Sequence, residues 1–344
     1  YPIASAFRRA VMLMRTGVAI AAAASATAAI LRHLRLRRVA AGAASFDDIT
    51  AVIKCYFRAL HTCSAVDFHR MWHPRGLLLG IGPSGAVVVR DAAEFCAGVV
   101  ARAPSAISAY TRYDEIVSIE KVSPTCASAK VRIALPPAPN SPTPTTEPPL
   151  YTDFLTLLRD PALGWRVIAK TYSSQSLPAC ALKGDAPAMP RPADKIFPSD
   201  FSAAASAVWG DYVAAGRACD GAKMARVFHP TCNLTFATPD GITLVSSEAF
   251  CERVTRRWQI APHDAYAHLK DDERISAHDS LVSLDFAGPR VARALLNIGY
   301  PPFLYKDVLL LLKLDPVADE RGGWWIVAKS SGNVPMLADE HRAV

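Results

Sequence analysis

One stretch of this chain is written twice. Residues 151–170 read YTDFLTLLRDPALGWRVIAK, and residues 305–329 read YKDVLLLLKLDPVADERGGWWIVAK. Each has β-like alternation, breaks at Asp-Pro and resumes after Gly-Trp, the grammar of two strands joined by a turn. In the first copy Tyr151, Asp153, Leu155 and Leu157 alternate with Thr152, Phe154, Thr156 and Leu158. Most positions are apolar on either side, so much of both faces of the strand should be buried. Apolar alternation alone is a weak signal. Tyr-x-Asp, Leu-Leu, Asp-Pro and Gly-Trp-x-x-x-Ala-Lys in one order are a strong one, and they predict a duplicated domain.

The rest of the chain extends the repeat. In the first unit Ser45, Asp47 and Asp48 read as a helix N-terminus, a hydroxyl cap followed by carboxylates at the positive end of the dipole. Ile49, Val52, Ile53, Tyr56, Phe57 and Leu60 then form one apolar helical face. A second helix carries Val66, Phe68, Met71 and Trp72 and stops at His73-Pro74. Short strands at 77–79 and 87–89 flank a Pro83-Ser84-Gly85 turn, and a third helix spans about 91–102. Long strands at about 109–121 and 125–135, a proline-rich loop at 136–149 and the hairpin complete the unit. The second unit repeats this order through Ala207, Val208, Tyr212, Ala215, Cys219, His229-Pro230, Pro239-Asp240-Gly241, Phe250-Cys251 and Arg257. The expected division is an N-terminal segment at 1–44, domains at 45–176 and 199–334, a proline-rich linker at 177–198, and a tail at 335–344.

Net charge is +7 across 344 residues, but it is not spread evenly. Residues 1–46 hold Arg8, Arg9, Arg15, Arg32, Arg35, Arg37 and Arg38 and no acidic residue. The other 31 Lys and Arg balance 31 Asp and Glu, so the repeated body is neutral. Residues 16–31 form an alanine-dominated run without charge. It is shorter than the ~20 residues a spanning helix usually needs. Extending it back to residue 10 reaches that length and includes Arg15, which can snorkel. Three readings compete here: a transit peptide, a membrane helix at 10–31 with a basic flank, or a basic arm against an acidic partner. The segment is expected to be retained and held by something else.

Eight cysteines (Cys55, Cys63, Cys96, Cys126, Cys180, Cys219, Cys232 and Cys251) show no CxxC pair and no zinc spacing. Cys63 and Cys219 share a repeat position, as do Cys96 and Cys251, and buried thiols are expected.

With these motifs in place, each unit resembles the nuclear transport factor 2-like superfamily, and within it the lumazine-binding and SnoaL-like branch. The resemblance rests on His73-Pro74 and His229-Pro230, the turn after each, and the closing Tyr-x-Asp hairpin, over about 45–175 and 200–332. It implies an α+β domain, a cone-like, strongly curved antiparallel sheet around about three helices, often enclosing an apolar pocket. It says little about activity, because relatives include isomerases, hydrolases, dehydratases and members with no chemistry.

The candidate polar positions are Tyr56, His73, Asp153, Tyr212, His229 and Asp307. A carboxylate within an apolar strand suits a general base, but equally suits a hydrogen-bonded anchor at a sheet edge or helix end. His73 and His229 follow helix C-termini and suit capping. Tyr56 and Tyr212 lie on the buried face of a first helix and suit core packing or ligand contact. All six are shared by the two copies, as expected of residues that hold a fold. No phosphate loop, nucleophile elbow or metal-ligand spacing occurs, so no cofactor and no metal is expected.

The resulting expectation is a non-catalytic accessory subunit of an organellar membrane complex, of the respiratory-chain or ATP-synthase type. It places the domains on the matrix side of the mitochondrial inner membrane, with a plastid as the alternative. Arg15, Arg32, Arg35, Arg37 and Arg38 would contact membrane or partner subunits. One rival is a carrier of, or enzyme on, a small apolar ligand held in a conical pocket. The other is a mitochondrial ribosome accessory protein whose arm meets RNA, which the neutral body disfavours.

Overall fold

In a computed structural model the residues described are 46–102, 112–135, 149–176, 196–257, 278–300, 302–316 and 321–336. The basic segment with its candidate membrane helix, Ser45, the body of the proline-rich loop, most of the linker and the tail after residue 336 lie outside them. No helix among the described residues is long and apolar enough to cross a membrane.

The first copy comprises α1 (Phe46–Thr62), α2 (Ala65–Met71), β1 (Trp72–Ile81), β2 (Val87–Arg90), α3 (Ala92–Val100), β3 (Tyr113–Lys121), β4 (Cys126–Ala134), β5 (Pro149–Asp160) and β6 (Gly164–Ser176). In the second copy α4 (Pro198–Ser206), a π-helical turn (Ala207–Val213) and α5 (Ala214–Arg217) take the place of α1. They are followed by α6 (Gly221–Ala225), β7 (Phe228–Thr238), β8 (Gly241–Ser246), α7 (Ser247–Thr255), β9 (Ser280–Gly288), β10 (Val291–Tyr300), β11 (Phe303–Leu314) and β12 (Gly323–Pro335). The sheets have matching orders, β2-β1-β6-β5-β4-β3 and β8-β7-β12-β11-β10-β9. Among the described strands only the β1–β6 and β7–β12 pairs are parallel. The chain is a tandem duplication of one α+β domain, and the hairpins take the same place in each sheet.

Local chemistry sets the element ends. Ser64 caps α2 through the Asp67 N–H, and Asp91 and Glu94 form a reciprocal capping box on α3. Cys63 and Cys219 adopt left-handed φ of 51° and 52° where the first helical segment of each copy ends. The next residue's N–H reaches back to Ala59 O or Ala215 O, closing a Schellman turn with cysteine at the usual glycine position. His73-Pro74 does not simply end a helix, as the sequence suggested. β1 starts at Trp72 and runs through both residues. The proline is tolerated because the ladder to β6 is irregular between Trp72 and Leu77, where no donor is needed. Pro230 meets the same irregularity between Phe228 and Asn233.

Each sheet buries both faces, against different things. In the second copy Leu309 and Leu311 face the helices, in a core with Tyr212, Val254 and Leu296. Val308, Leu310 and Leu312 face the other way, into a cluster that also contains Leu79, Phe154, Leu158 and Ile168 of the first copy. The two sheets therefore pack on each other by their outer faces.

Polar contacts cross this interface. Arg293 is 1% exposed and grips Glu120 with both terminal nitrogens, at 2.8 and 3.0 Å. Its Nη1 also donates to Ser128 Oγ at 3.0 Å. Lys130 reaches Asp285 at 2.9 Å and Phe286 O at 2.8 Å, and Arg75 donates to Ile242 O at 3.0 Å. The strand registers make Ser128 and Arg293 equivalent positions. A residue touching its own repeat counterpart lies beside a pseudo-twofold axis, as in an isologous dimer.

The same symmetry relates two close approaches. Register aligns Ser123-Pro124 with Gly288-Pro289, and Ser173 with Gly332. Ser123 packs on Gly332, and Ser173 packs on Gly288. A Cβ added at Gly332 would overlap the Ser123 hydroxyl and come within 2.7 Å of its Cβ. One added at Gly288 would come within 2.9 Å of the Ser173 Cβ. At each approach one copy supplies the serine and the other the glycine. Gly332→Ser is expected to lower stability by about 1–3 kcal/mol through overpacking. Ser123→Gly alone should also cost stability, since its hydroxyl accepts from the Thr125 and Cys126 N–H groups. Urea denaturation of both single variants and of the double variant should show a favourable coupling, the swap removing most of the Gly332→Ser penalty. Strictly additive losses would mean that the two sites do not meet.

Candidate functional site

Two of the residues marked in sequence, a tyrosine and an aspartate, meet a lysine inside each cone. Asp153 stands on β5 directly opposite Tyr172 of β6, and Lys170 lies two residues before Tyr172 on the same face. Tyr56 comes from the buried face of α1. Its hydroxyl donates to Asp153 Oδ2 at 2.5 Å, and Lys170 Nζ donates to the same carboxylate oxygen at 2.9 Å. Among the described residues Asp153 Oδ1 has no hydrogen-bond partner. β5 is an inner strand, so Asp153 is not the sheet-edge anchor the sequence suggested.

The second cone repeats the arrangement with one change. Tyr212 donates to Asp307 Oδ2 at 2.6 Å, and Lys329 Nζ donates to Oδ1 at 2.7 Å. Ser331 adds its hydroxyl to Oδ1 and to Lys329, so both carboxylate oxygens are bonded. Lys329 also faces the Phe236 and Phe250 rings at 5.1 and 5.7 Å, cation–π contacts that help hold a buried ammonium. Burial and then the adjacent carboxylate push the Tyr56 and Tyr212 hydroxyls well above the ordinary tyrosine pKa. Burial pulls the Lys170 ammonium down, with Asp153 acting against it.

Ser331 is the counterpart of Tyr172. In the first cone the Tyr172 ring lies tilted at 60° to that of Tyr151, with centroids 5.8 Å apart, and covers Gly80 so closely that a Cβ there would meet the ring at 2.8 Å. In the second cone Phe236 stands where Gly80 does, and serine takes the tyrosine's place. Ser331 and Phe236 both line a cavity of about 690 Å³. Tyr212, Phe236, Phe250, Tyr300 and Tyr305 wall it, with Asp307, Lys329 and Ser331 as one polar group and Arg253 and Arg257 as another. Such a volume suits a small-molecule ligand.

Not every candidate joins this group. His73 is buried at the start of β1, where its Nδ1 accepts from Arg75 N–H and its Nε2 lies 3.6 Å from Asp160. That contact ties β1 to the β5–β6 turn, and the helix carbonyls are not its partners in this contact. His229 lies outside the cavity wall, with Nδ1 at 2.8 Å from Thr231 Oγ1 and its ring edge on Trp325. Arg15, Arg32, Arg35, Arg37 and Arg38 fall outside the described residues. Lys170, Lys329, Ser331, Arg253 and Tyr300 carried no role in the sequence reading. The two lysines were visible as the closing Ala-Lys of each hairpin. The other three appear only when the copies are compared position by position.

The site generates a stability prediction with a definite sign. Tyr212 has a raised folded pKa, so above about pH 10 the folded chain retains a proton that the unfolded chain releases, and stability falls as pH climbs. Tyr212→Phe should make that alkaline decline shallower, read as urea midpoints between about pH 8 and 11. Asp307→Asn leaves a buried ammonium without its anion and is expected to cost about 3 kcal/mol at neutral pH. An unchanged midpoint would show that Lys329 is held by something other than Asp307.

The comparisons with known proteins agree with this architecture. The family model described as "Putative lumazine-binding" matches residues 44–173 and again 200–330. No curated protein matches the chain. Among solved structures, an NTF2-like protein of unknown function from Shewanella baltica OS155 is 15% identical, covering 38% of this chain and 93% of its own, with a TM-score of 0.30. A ketosteroid isomerase-like protein from Erwinia carotovora atroseptica SCRI1043 is 17% identical, with coverages of 38% and 95% and a TM-score of 0.29. An NTF2-like superfamily protein from Salmonella enterica serovar Typhimurium LT2 is 14% identical, with coverages of 41% and 96% and a TM-score of 0.28. Because the two matches together span most of the chain, it belongs to the Putative lumazine-binding family as two tandem copies of the family's domain.

Proposed function

We propose that the second domain is a receptor for a small, largely apolar molecule, and that the first domain is its structural partner. One observation carries the reading: above its buried Tyr-Asp-Lys group the second domain holds a cavity of about 690 Å³ walled largely by aromatic rings. A fold maintained only for packing gains nothing from an opened core, because an unfilled cavity forfeits dispersion contacts. The polar group in the second cone is fully bonded within itself. It supports the floor of the cavity, and its charges are already balanced. The reading is therefore one of binding, with no chemical step attached.

The test fills the cavity from one of its walls. Val245→Trp enlarges a lining side chain outside the Tyr-Asp-Lys group and should fill part of the cavity while leaving the fold intact. The wild-type chain should bind the neutral dye Nile red with one-site fluorescence enhancement, and the filled variant should lose at least ten-fold in affinity at an unchanged melting temperature. Equal binding by both chains would overturn the reading.

A second reading concerns the basic segment. Residues 1–46 hold seven arginines and no acid beside a neutral body, which supports an arm that joins the protein to partner subunits at a membrane, with mitochondria the compartment its composition suggests. On this reading the chain is an accessory subunit of a larger assembly, and it can bind a ligand as well. Deleting residues 1–40 should release the two domains from the co-purifying assembly. Retention at wild-type level would dismiss the arm.

A further inference from the structure

The receptor reading leaves the ligand's chemistry open, and the copies narrow it. Aligning α3 with α7 through Phe95-Cys96 and Phe250-Cys251 places Gly98 opposite Arg253 and Arg102 opposite Arg257. Strand register places Leu135 opposite Tyr300. The second cone has thus an arginine and a tyrosine where the first has glycine and leucine. Both arginines line the cavity. Arg253 stands in the last turn of α7 and Arg257 two residues past its end, and the cavity lies between their side chains and the sheet.

The charges of the cavity do not cancel. Its one lining carboxylate, Asp307, is taken by Lys329, Ser331 and Tyr212. Arg257 lies over the Tyr300 ring at 4.3 Å and donates to Gly216 O at 3.4 Å. Among the described residues neither Arg253 nor Arg257 has an ion-pair partner. The nearby Asp279 is bonded to Arg217 and to the Gly299 N–H. A half-buried guanidinium stacked on an aromatic ring still presents its N–H edge, and that edge matches the two oxygens of a carboxylate. The other walls are ring faces: Phe236 and Phe250 lie 6.5 Å apart at a 33° tilt, and Tyr300 and Tyr305 lie 6.1 Å apart.

We propose that the ligand is a flat aromatic or polycyclic anion, its acidic group on Arg257 and Arg253 and its ring system among Phe236, Phe250 and Tyr300. The inference rests on the receptor reading and adds the charge and shape of what is bound. Lys329 remains with Asp307 and takes no part in holding the anion. Arg253 supplies attraction that the other copy lacks, while Arg257 and Tyr300 orient the acidic group.

Pyrene-1-carboxylate and its neutral primary amide test the assignment on the full chain, by fluorescence titration at low and high salt. The carboxylate is expected to bind at least ten-fold tighter than the amide, with the difference shrinking at high salt. Arg253→Gln and Arg257→Gln together should bring the two affinities within two-fold, with the amide unchanged. Arg253→Gln alone, at an exposed position, should lose part of the preference without touching the fold. Equal affinities in the wild type, or a preference that survives both substitutions, would overturn the assigned charge and leave the receptor reading standing. Failure of both probes to bind the wild-type chain would end both.

Discussion

The structure depends on one constraint: each curved sheet has two apolar faces and only one set of helices. The inner face closes on α1–α3 or on their counterparts in the second copy. The outer face still carries Phe154, Leu158 and Ile168 in one copy and Val308, Leu310 and Leu312 in the other. Exposed to water, that surface would offset what each domain gains from its own core. Pairing the outer faces removes both at once. The cost is a small polar set trapped between the sheets, of which Arg293 is the deepest member. Its bidentate hold on Glu120 and its bond to Ser128 satisfy most of the guanidinium.

Because the interface is pseudo-symmetric within one chain, its two halves are free to differ. A true homodimer would have to place the same residue at both ends of the dyad. Here Ser123 meets Gly332 while Gly288 meets Ser173, and Arg293 meets Ser128. Two first domains paired alike would set serine against serine, and two second domains would set glycine against glycine. The complementary choice lets the sheets approach closely at both ends, at native packing density.

The same freedom separates the cones. Both retain a tyrosine, an aspartate and a lysine bonded to one another, a buried polar group that is costly unless satisfied and that therefore favours one strand register. Above this shared floor the copies part. Tyr172 lies over Gly80 in one cone. In the other Ser331 stands beside Phe236, and its hydroxyl bonds the carboxylate oxygen that lacks a described partner in the first. Arg253 and Tyr300 border the cavity. A duplicated domain can keep one copy as scaffold and alter the other, because the shared polar floor and the sheet interface hold in both.

Much of this was readable in the residues alone. The twofold recurrence of Tyr-x-Asp, Asp-Pro and Gly-Trp-x-x-x-Ala-Lys determined the duplication, and apolar periodicity located the helices, the hairpins and the buried Tyr56, Asp153, Tyr212 and Asp307. Local pattern suffices there because backbone period and burial are properties of neighbouring residues. It was less reliable at His73-Pro74, where a ladder irregularity carries the proline through a strand. Sequence also marked the hairpin strand as buried on both sides without indicating what covered the second. That cover is another sheet more than a hundred residues away. The cavity was less legible still. Ser331, Phe236 and Arg253 are unremarkable in their own segments, and they meet around one cavity only once strand register brings them together. Which positions face one another is set by cross-strand pairing and sheet curvature, and those exist only in the folded chain.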